Sequence, residues 1–380
     1  MTMKTKRDIG IYCHVPFCQK KCAYCDFYSG CFYELADRYI EAIIKEASTY
    51  ASACPKLSVS TVYFGGGTPS SLTADQLRRL IDGILSRFSI SDDAEITLEA
   101  NPATLDVDKL SILRSAGVNR LSIGVQSASD RELCGLSRIH TYEQFLDTYR
   151  MSGRYFDNIS LDLMYGLPEQ TEESFLATLN KIIELAPMHI SLYALKIEPN
   201  TPFYRLQNEL RLPDDDTVVS MYLNAVDILV QNGYHQYEIS NFARQDSRSK
   251  HNLRYWEGKE YIGLGPSSHS YYDGVRYAIT SDIHAYLSAI EASQHPKLKE
   301  EYRLTESDLL EEGIILPLRL TSGLDLDQLF EKFGYDLMKE SGDFITRFCQ
   351  AGYMKMNGSV LSFTPKGFLV SNTILSELIP

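Results

Sequence analysis

A chain of 380 residues, 44% apolar and 23% charged, can bury one large core and still furnish a small second domain. Its formal net charge of −13 argues against a nucleic-acid surface, and no stretch approaches the roughly 20 apolar residues of a membrane span. Eight Cys are too few for a disulfide scaffold over this length, and MTMKTKRDIG carries no apolar leader, so a reduced, cytoplasmic setting is expected.

From Ile9 onward, short β-branched or aromatic runs alternate with amphipathic stretches. IGIYCHV precedes a helix over 34–50, STVYFGG one over 74–88 and AEITLEA one over 107–116. RLSIGVQ, NISLDLMYG and HISLYALK continue the rhythm with helices over 142–151, 172–185 and 214–231. Six strand-helix units imply an α/β fold with a parallel sheet, since each strand is re-entered by a right-handed crossover. Six are short of the eight that close a full barrel, which predicts a partial (β/α)6 TIM-like barrel over 1–240.

The rhythm then breaks into NFARQDSRSKHNLRYWEGKEYIGLGPSSHSYYDGVR, expected as a loop-rich connection over 241–300 that covers the barrel mouth. From 301 to 380 the pattern is helices over 307–316, 326–333 and 344–351, then KMNGSVLSF with Asn357-Gly358 as a hairpin turn, then a last helix over 367–378. This describes a small winged-helix-like α+β domain. Acids outnumber bases in it, so docking or structure is expected of it rather than DNA binding. Cys54, Cys134 and Cys349 fall in helical patterns and read as buried apolar residues. Asp214, Asp215 and Asp216 read as an acidic helix start.

CHVPFCQKKCAYCDF places Cys18, Cys22 and Cys25 on one loop after the first strand. Iron-sulfur clusters take four thiolates as a rule, so three leave one iron of a cubane open to another ligand. A zinc site, its fourth ligand drawn from His14, Cys13 or Cys31, is the competing reading of the spacing. In a parallel barrel the working residues stand at the C-terminal strand ends. There the sequence offers Gly66, Gly67 and Thr68 after strand two, Glu99 on strand three, Gln126 and Arg138 after strand four, and Asp162 on strand five. Glycine backbone can approach a ligand closely, a carboxylate accepts from ribose hydroxyls, and Arg grips a carboxylate.

CxxxCxxC after a first strand and before a βα series resembles the radical S-adenosylmethionine (SAM) superfamily. VYFGGGTPS, EANP, SIGVQS, DLMYGLP, HISLYAL and YEISNF are similar to its group containing oxygen-independent coproporphyrinogen III oxidase (dehydrogenase) and a heme-chaperone relative. The resemblance implies a [4Fe-4S] cluster on the three Cys, with SAM on the open iron as source of a 5′-deoxyadenosyl radical. Tyr12, Gly66, Glu99, Gln126, Arg138 and Asp162 match SAM-site positions of that group. Tyr24, Gly67 and Thr68 match positions around the cluster and a possible second SAM. The dehydrogenase pattern has a further Cys where this chain has Phe27, and an N-terminal extension where only 17 residues precede Cys18. Both departures favour the chaperone branch, which implies heme as cargo, an apo-hemoprotein recipient that could be membrane-associated, and an electron donor. HNLRYW resembles a signature of that branch, with His251 as expected heme-iron ligand and His269 as a second choice; coproporphyrinogen III oxidation stays as the enzyme alternative. EEGIILPLRLTSGLDLDQLF and LSFTPKGFLVSNTILSEL resemble the same group's C-terminal domain.

Overall fold

The computed structural model describes residues 7–54, 56–296 and 298–380. Six strands, β1 (Arg7–Val15), β2 (Leu57–Gly66), β3 (Ser89–Ala100), β4 (Arg120–Gln126), β5 (Asn158–Tyr165) and β6 (His189–Ala194), pair in sequence order and all in parallel. Between and after them run α1 (Ala36–Ala53), α2 (Ala74–Leu85), α3 (Val107–Ser115), α4 (Asp130–Gly135), α5 (Tyr142–Ser152), α6 (Glu172–Glu184), α7 (Pro202–Arg205) and α8 (Asp215–Gln231). This is the partial (β/α)6 barrel expected. Its helix starts follow local chemistry: Thr73 with Gln76, Thr141 with Gln144 and Thr171 with Ser174 form capping boxes, and Asp214 accepts from Thr217 N–H. Each such cap is worth about 1 kcal/mol.

All seven residues of β4 are buried, yet they alternate in chemistry. Leu121, Ile123 and Val125 join the apolar core beneath the helices, while Arg120, Ser122 and Gln126 occupy the other face, which looks into the barrel. The lumen is therefore polar, and apolar burial is concentrated outside the sheet.

The sheet does not stop at its sixth strand. Antiparallel β7 (His235–Gln236) and β8 (Asn241–Ala243) cover the β6 edge. A short α9 (Lys250–Trp256) follows, and then β9 (Tyr261–Leu264) pairs in parallel with β1. Strands β10 (His269–Tyr272), β11 (Val275–Ile279) and β12 (Leu298–Arg303), with α10 (Ile283–Glu291) between the last two, extend the sheet to twelve strands.

The expectation that 241–300 covers the mouth is corrected for α9, which lies against the opposite end. Its Arg254 donates to Asp8 Oδ2 at 2.8 Å and Ser60 Oγ at 2.8 Å, near the starts of β1 and β2. Its first N–H groups, of Lys250 and His251, donate to the Glu95 carboxylate at 2.9 and 3.0 Å. A buried Glu on β3 thus caps the helix that plugs the barrel floor.

The C-terminal unit holds α11 (Glu306–Ile315), α12 (Leu326–Phe333), α13 (Leu337–Gln350), a three-stranded sheet of β13 (Leu324–Asp325), β14 (Met354–Asn357) and β15 (Val360–Phe363), then α14 (Pro365–Leu369) and α15 (Ser371–Leu378). Pairing of Asn357 with Val360 puts the hairpin turn on Gly358-Ser359, with Gly358 at φ 60°. Thr321 N–H to Tyr237 O and Ile239 N–H to Arg319 O tie this unit to the barrel. Cys134, read as buried, is exposed: α4 has only six residues and turns Glu132 and Leu133 inward instead. Among the described residues no helix is long and apolar enough to cross a membrane.

Candidate functional site at the barrel mouth

The loop after β1 is fixed by backbone bonds on three sides. Cys18 N–H donates to Gly30 O at 3.0 Å, Ala23 N–H to Leu136 O at 3.2 Å, and Phe203 N–H of α7 to Ala23 O at 3.0 Å. The glycine run after β2 clamps the same loop: Gly67 N–H donates to Val15 O at 2.9 Å and Thr68 N–H to Phe17 O at 2.7 Å. A Cβ on Gly67 would stand 2.8 Å from Phe17 O and 2.9 Å from Val15 O, which explains why the position is glycine. Gly66 has φ 109°, and a Cβ there would meet the His14 ring at 2.6 Å.

Cys18, Cys22 and Cys25 are free thiols on this loop. Thr68 Oγ1 is 3.4 Å from Cys18 Sγ, and Arg138 Nη1 donates to Cys22 Sγ at 3.5 Å. Tyr24 lies against Cys22 and Arg138, and burial raises its phenol. Burial pushes the Cys25 thiol up to about 11, so a metal bound there must displace a firmly held proton. Among the described residues no three His, Cys, Asp or Glu converge on a single ion position. The alternative fourth zinc ligands are committed elsewhere. Cys13 is in the core, His14 donates Nε2–H to Tyr28 O at 2.8 Å, and the Cys31 thiol points at Cys18 O and Gln19 O, both at 3.2 Å. A cubane, which spreads its thiolates over separate irons, fits this arrangement better than one zinc ion.

Behind the loop the strand ends bring the predicted polar residues together. Glu99 accepts from Tyr63 OH at 2.8 Å and Gly66 N–H at 3.2 Å. Burial nevertheless pushes its carboxyl up to about 7, with the Asp162 charge adding to the shift. Asp162 is also raised by burial, against hydrogen bonds from Ser191 and Ser122, the latter at 3.1 Å, and the nearby Arg120 charge. At Gln126 the β4–β5 register shifts and φ is 66°, an uncommon value for a side-chain-bearing residue. Arg138 reaches both Cys22 and, at 2.5 Å, Gly124 O, while its buried Nε has no acceptor. That orphan donor beside the thiols suits a carboxylate. Tyr12 lies one layer lower, its OH 3.1 Å from His14 Nδ1 and its ring 6.2 Å from Tyr63.

His251 does not join this group. It is 1% exposed, with Nδ1 2.8 Å from Thr61 Oγ1 and Nε2 2.8 Å from Tyr255 OH, and its ring stacks on Tyr63 at 5.1 Å. Burial, with the nearby Arg254 and Arg120 charges, lowers it to about 3. Both nitrogens are engaged in the barrel floor, so neither faces a heme iron in this arrangement. His269 is exposed on the sheet extension, 3.8 Å from Glu300.

Other polar residues of the barrel lumen carry no mark in the sequence reading: Thr61, Tyr63, Glu95, Arg120 and Ser122. Arg120 is 2% exposed and its Nε has no partner. The signal was present in RLSIGVQ, whose polar residues fall at every second position.

Comparison with known proteins matches residues 12–182 to the radical SAM superfamily and 304–370 to the HemN C-terminal domain. The heme chaperone HemW of Lactococcus lactis subsp. lactis is 36% identical over 97% of this chain and 96% of its own length. That of Bacillus subtilis is 34% identical over 97% and 98%. Among solved structures, coproporphyrinogen III oxidase (HemN) from Escherichia coli, a radical SAM enzyme, superposes with a TM-score of 0.86 at 25% identity, covering 98% of this chain and 90% of that one.

Proposed function

The chain belongs to the radical SAM superfamily and, within it, to the family of the heme chaperone HemW; on that premise we propose that it is a heme-trafficking protein that binds a [4Fe-4S] cluster, SAM and heme and passes heme to an apo-hemoprotein. Cys18, Cys22 and Cys25 would hold the cluster, which supplies an open iron for SAM and an electron for its cleavage. The chain's own residues do the positioning. Thr68 and Arg138 donate toward cluster thiolates, Arg138 offers its orphan Nε to the SAM carboxylate, and Glu99 takes ribose hydroxyls as a carboxylate fixed by Tyr63 and Gly66. Gln126 and Asp162 complete the polar rim, with Tyr12 and Tyr24 as its aromatic walls. Gly67 holds the loop itself.

The observation that carries the chaperone reading is near full-length likeness to proteins of that name, in a chain with Phe27 where the dehydrogenase branch has a further Cys. Phe27 is 64% exposed. The second reading, oxygen-independent coproporphyrinogen III oxidation by a 5′-deoxyadenosyl radical, is favoured by the superposition on the Escherichia coli enzyme. A membrane-associated recipient fits this reading, although among the described residues no helix is long and apolar enough to cross a membrane; the electron donor is a separate protein, and the setting is the cytoplasm. Anaerobic reconstitution tests the reading: optical and EPR spectra that change with SAM, then saturable heme uptake by the same sample, are expected. Conversion of coproporphyrinogen III to protoporphyrinogen IX by that preparation would replace the chaperone reading with the enzyme one.

A further inference from the structure

The loop that carries Cys18, Cys22 and Cys25 has two sides. On the barrel side Thr68 and Arg138 stand against Cys18 and Cys22. The other side meets solvent: Cys18 is buried, but Cys22 and Cys25 are only partly covered. Lys20 and Lys21 directly precede Cys22, and Phe27 follows Cys25 by two residues, so its Cα is at most about 7 Å away. None of these three side chains belongs to the SAM contacts assigned above.

Phe27 is the most exposed large apolar side chain among the described residues, at 64%. Its carbonyl accepts from Lys21 Nζ at 3.0 Å and from Ser29 Oγ at 3.3 Å, so the turn that presents the ring to solvent is tied down. The short α7 packs on the same loop: Phe203 buries its ring beside Ala23 and leaves Tyr204 and Leu206 each 43% exposed. One apolar side chain in solvent is ordinary, whereas three on two segments braced against each other make a patch. Charge marks the same segments. Over 18–31 and 195–206 the bases Lys20, Lys21, Lys196 and Arg205 outnumber the acids Asp26 and Glu198, in a chain of net charge −13. Lys196 is matched by Glu198 at 2.5 Å. Among the described residues the side chains of Lys20 and Arg205 make no hydrogen bond or ion pair, and Lys21 gives its ammonium to a carbonyl rather than to an acid.

We propose that this outer face of the cluster loop and α7 is where the electron donor docks, and that the donor is a small acidic one-electron carrier with carboxylates around its exposed redox group. Encounters of that class use small interfaces and are steered by charge, which suits unpaired cations set around an exposed aromatic. A local surplus of bases on an otherwise acidic chain confines the attraction to this one face. The inference rests on the reading of Cys18, Cys22 and Cys25 as cluster ligands and adds the partner's place and charge. The step moves a single electron: the carrier's reduced centre is oxidised by one, the cluster is reduced by one, and no bond forms or breaks. SAM is then met from the barrel side of the loop and the donor from the solvent side, so the two do not compete.

The test mixes anaerobically reconstituted full-length protein, with SAM, against excess reduced plant-type [2Fe-2S] ferredoxin as the acidic carrier. Rapid-freeze EPR follows the reduced cluster over a range of salt concentrations. Wild type is compared with the double variant Lys20→Glu, Arg205→Glu and with Phe27→Ser; dithionite reduction and iron and sulfide per chain check that each variant keeps its cluster. Both charge-reversed side chains are exposed and unbonded, so their replacement leaves the loop in place. Wild-type reduction should slow steeply with salt. The double variant should be tenfold or more slower at low salt with a flatter salt dependence, and Phe27→Ser should be slower with the slope unchanged. A wild-type rate in the double variant, or a wild-type cluster that dithionite reduces and ferredoxin does not, overturns the docking face and leaves the cluster reading intact. A preparation without a [4Fe-4S] cluster, or with spectra that ignore SAM, removes the underlying reading itself.

Discussion

Glu99 gives the mouth a pH dependence whose sign can be worked out. Burial holds its carboxyl at about 7 in the ligand-free protein, so the neutral form gains as pH falls below that value. SAM carries a positive sulfonium, and its ribose hydroxyls donate, so it binds the ionised form better. Affinity should therefore rise with pH through 7 and level off above it. At about pH 6 roughly one molecule in ten carries the carboxylate, so the apparent Kd should be about tenfold weaker than at about pH 8, close to 1.4 kcal/mol. Glu99→Gln supplies the control. Its carbonyl oxygen can accept from Gly66 N–H while its amide donates to Tyr63 OH, so the pocket keeps its shape and loses the charge. The variant should bind SAM about as weakly as wild type does at the acid end, with no Glu99 contribution to the slope; any slope from SAM's own amino group remains and is subtracted. Isothermal titration of anaerobically reconstituted protein across this range measures both. A flat wild-type profile, or an identical slope in Glu99→Gln, would refute the assignment.

The cluster loop and the floor carry the other predictions. Gly67→Ala drives a methyl into two backbone carbonyls that cannot swing away, so iron and sulfide per chain should fall after reconstitution while far-UV circular dichroism stays at wild type. Retention of a full cluster would show that the clamp is dispensable. Replacing Cys18, Cys22 and Cys25 together by Ser should abolish the cluster's optical bands and lower the thermal midpoint against the reconstituted wild type, since cluster binding is linked to folding. His251→Ala removes a packed ring with both nitrogens bonded, and denaturant titration should report a loss of about 2–4 kcal/mol. Lost heme absorbance with an unchanged unfolding midpoint would instead restore the imidazole as iron ligand. Arg138→Lys keeps the charge but cannot span Cys22 and Gly124 at once, so SAM affinity should drop tenfold or more by the same titration.

The local elements and the mouth were readable because each leaves a mark in short stretches of chain. Strand-helix alternation is a pattern of a few residues, the Cys triplet lies within one loop, and residues at successive strand ends must share a rim once the strands are parallel. What escaped depends on pairings between distant segments. Strand β9 finds its partner in β1, some 250 residues earlier, so nothing in YIGL alone announces that the sheet continues. The direction taken by α9 is set by Glu95 and Asp8, far upstream, accepting from its N–H groups and from Arg254. A loop rich in Gly, Tyr and Ser says that the rhythm has ended but not which end of the barrel it closes. The same remoteness explains His251. Beside Tyr255 and Trp256 an imidazole reads as a ligand, and only the Thr61 hydroxyl across the lumen shows that it is a packed and bonded member of the floor. The polar lumen has a further consequence. Arg120 stands in it with an unpartnered Nε, between the charges of Glu95 and Asp162. A buried cation so placed favours ionised carboxylates above it, and Asp162 titrates lower than burial alone would set it. The floor therefore does more than seal the barrel: the same layer that immobilises His251 helps set the charge with which the mouth meets a cationic cofactor.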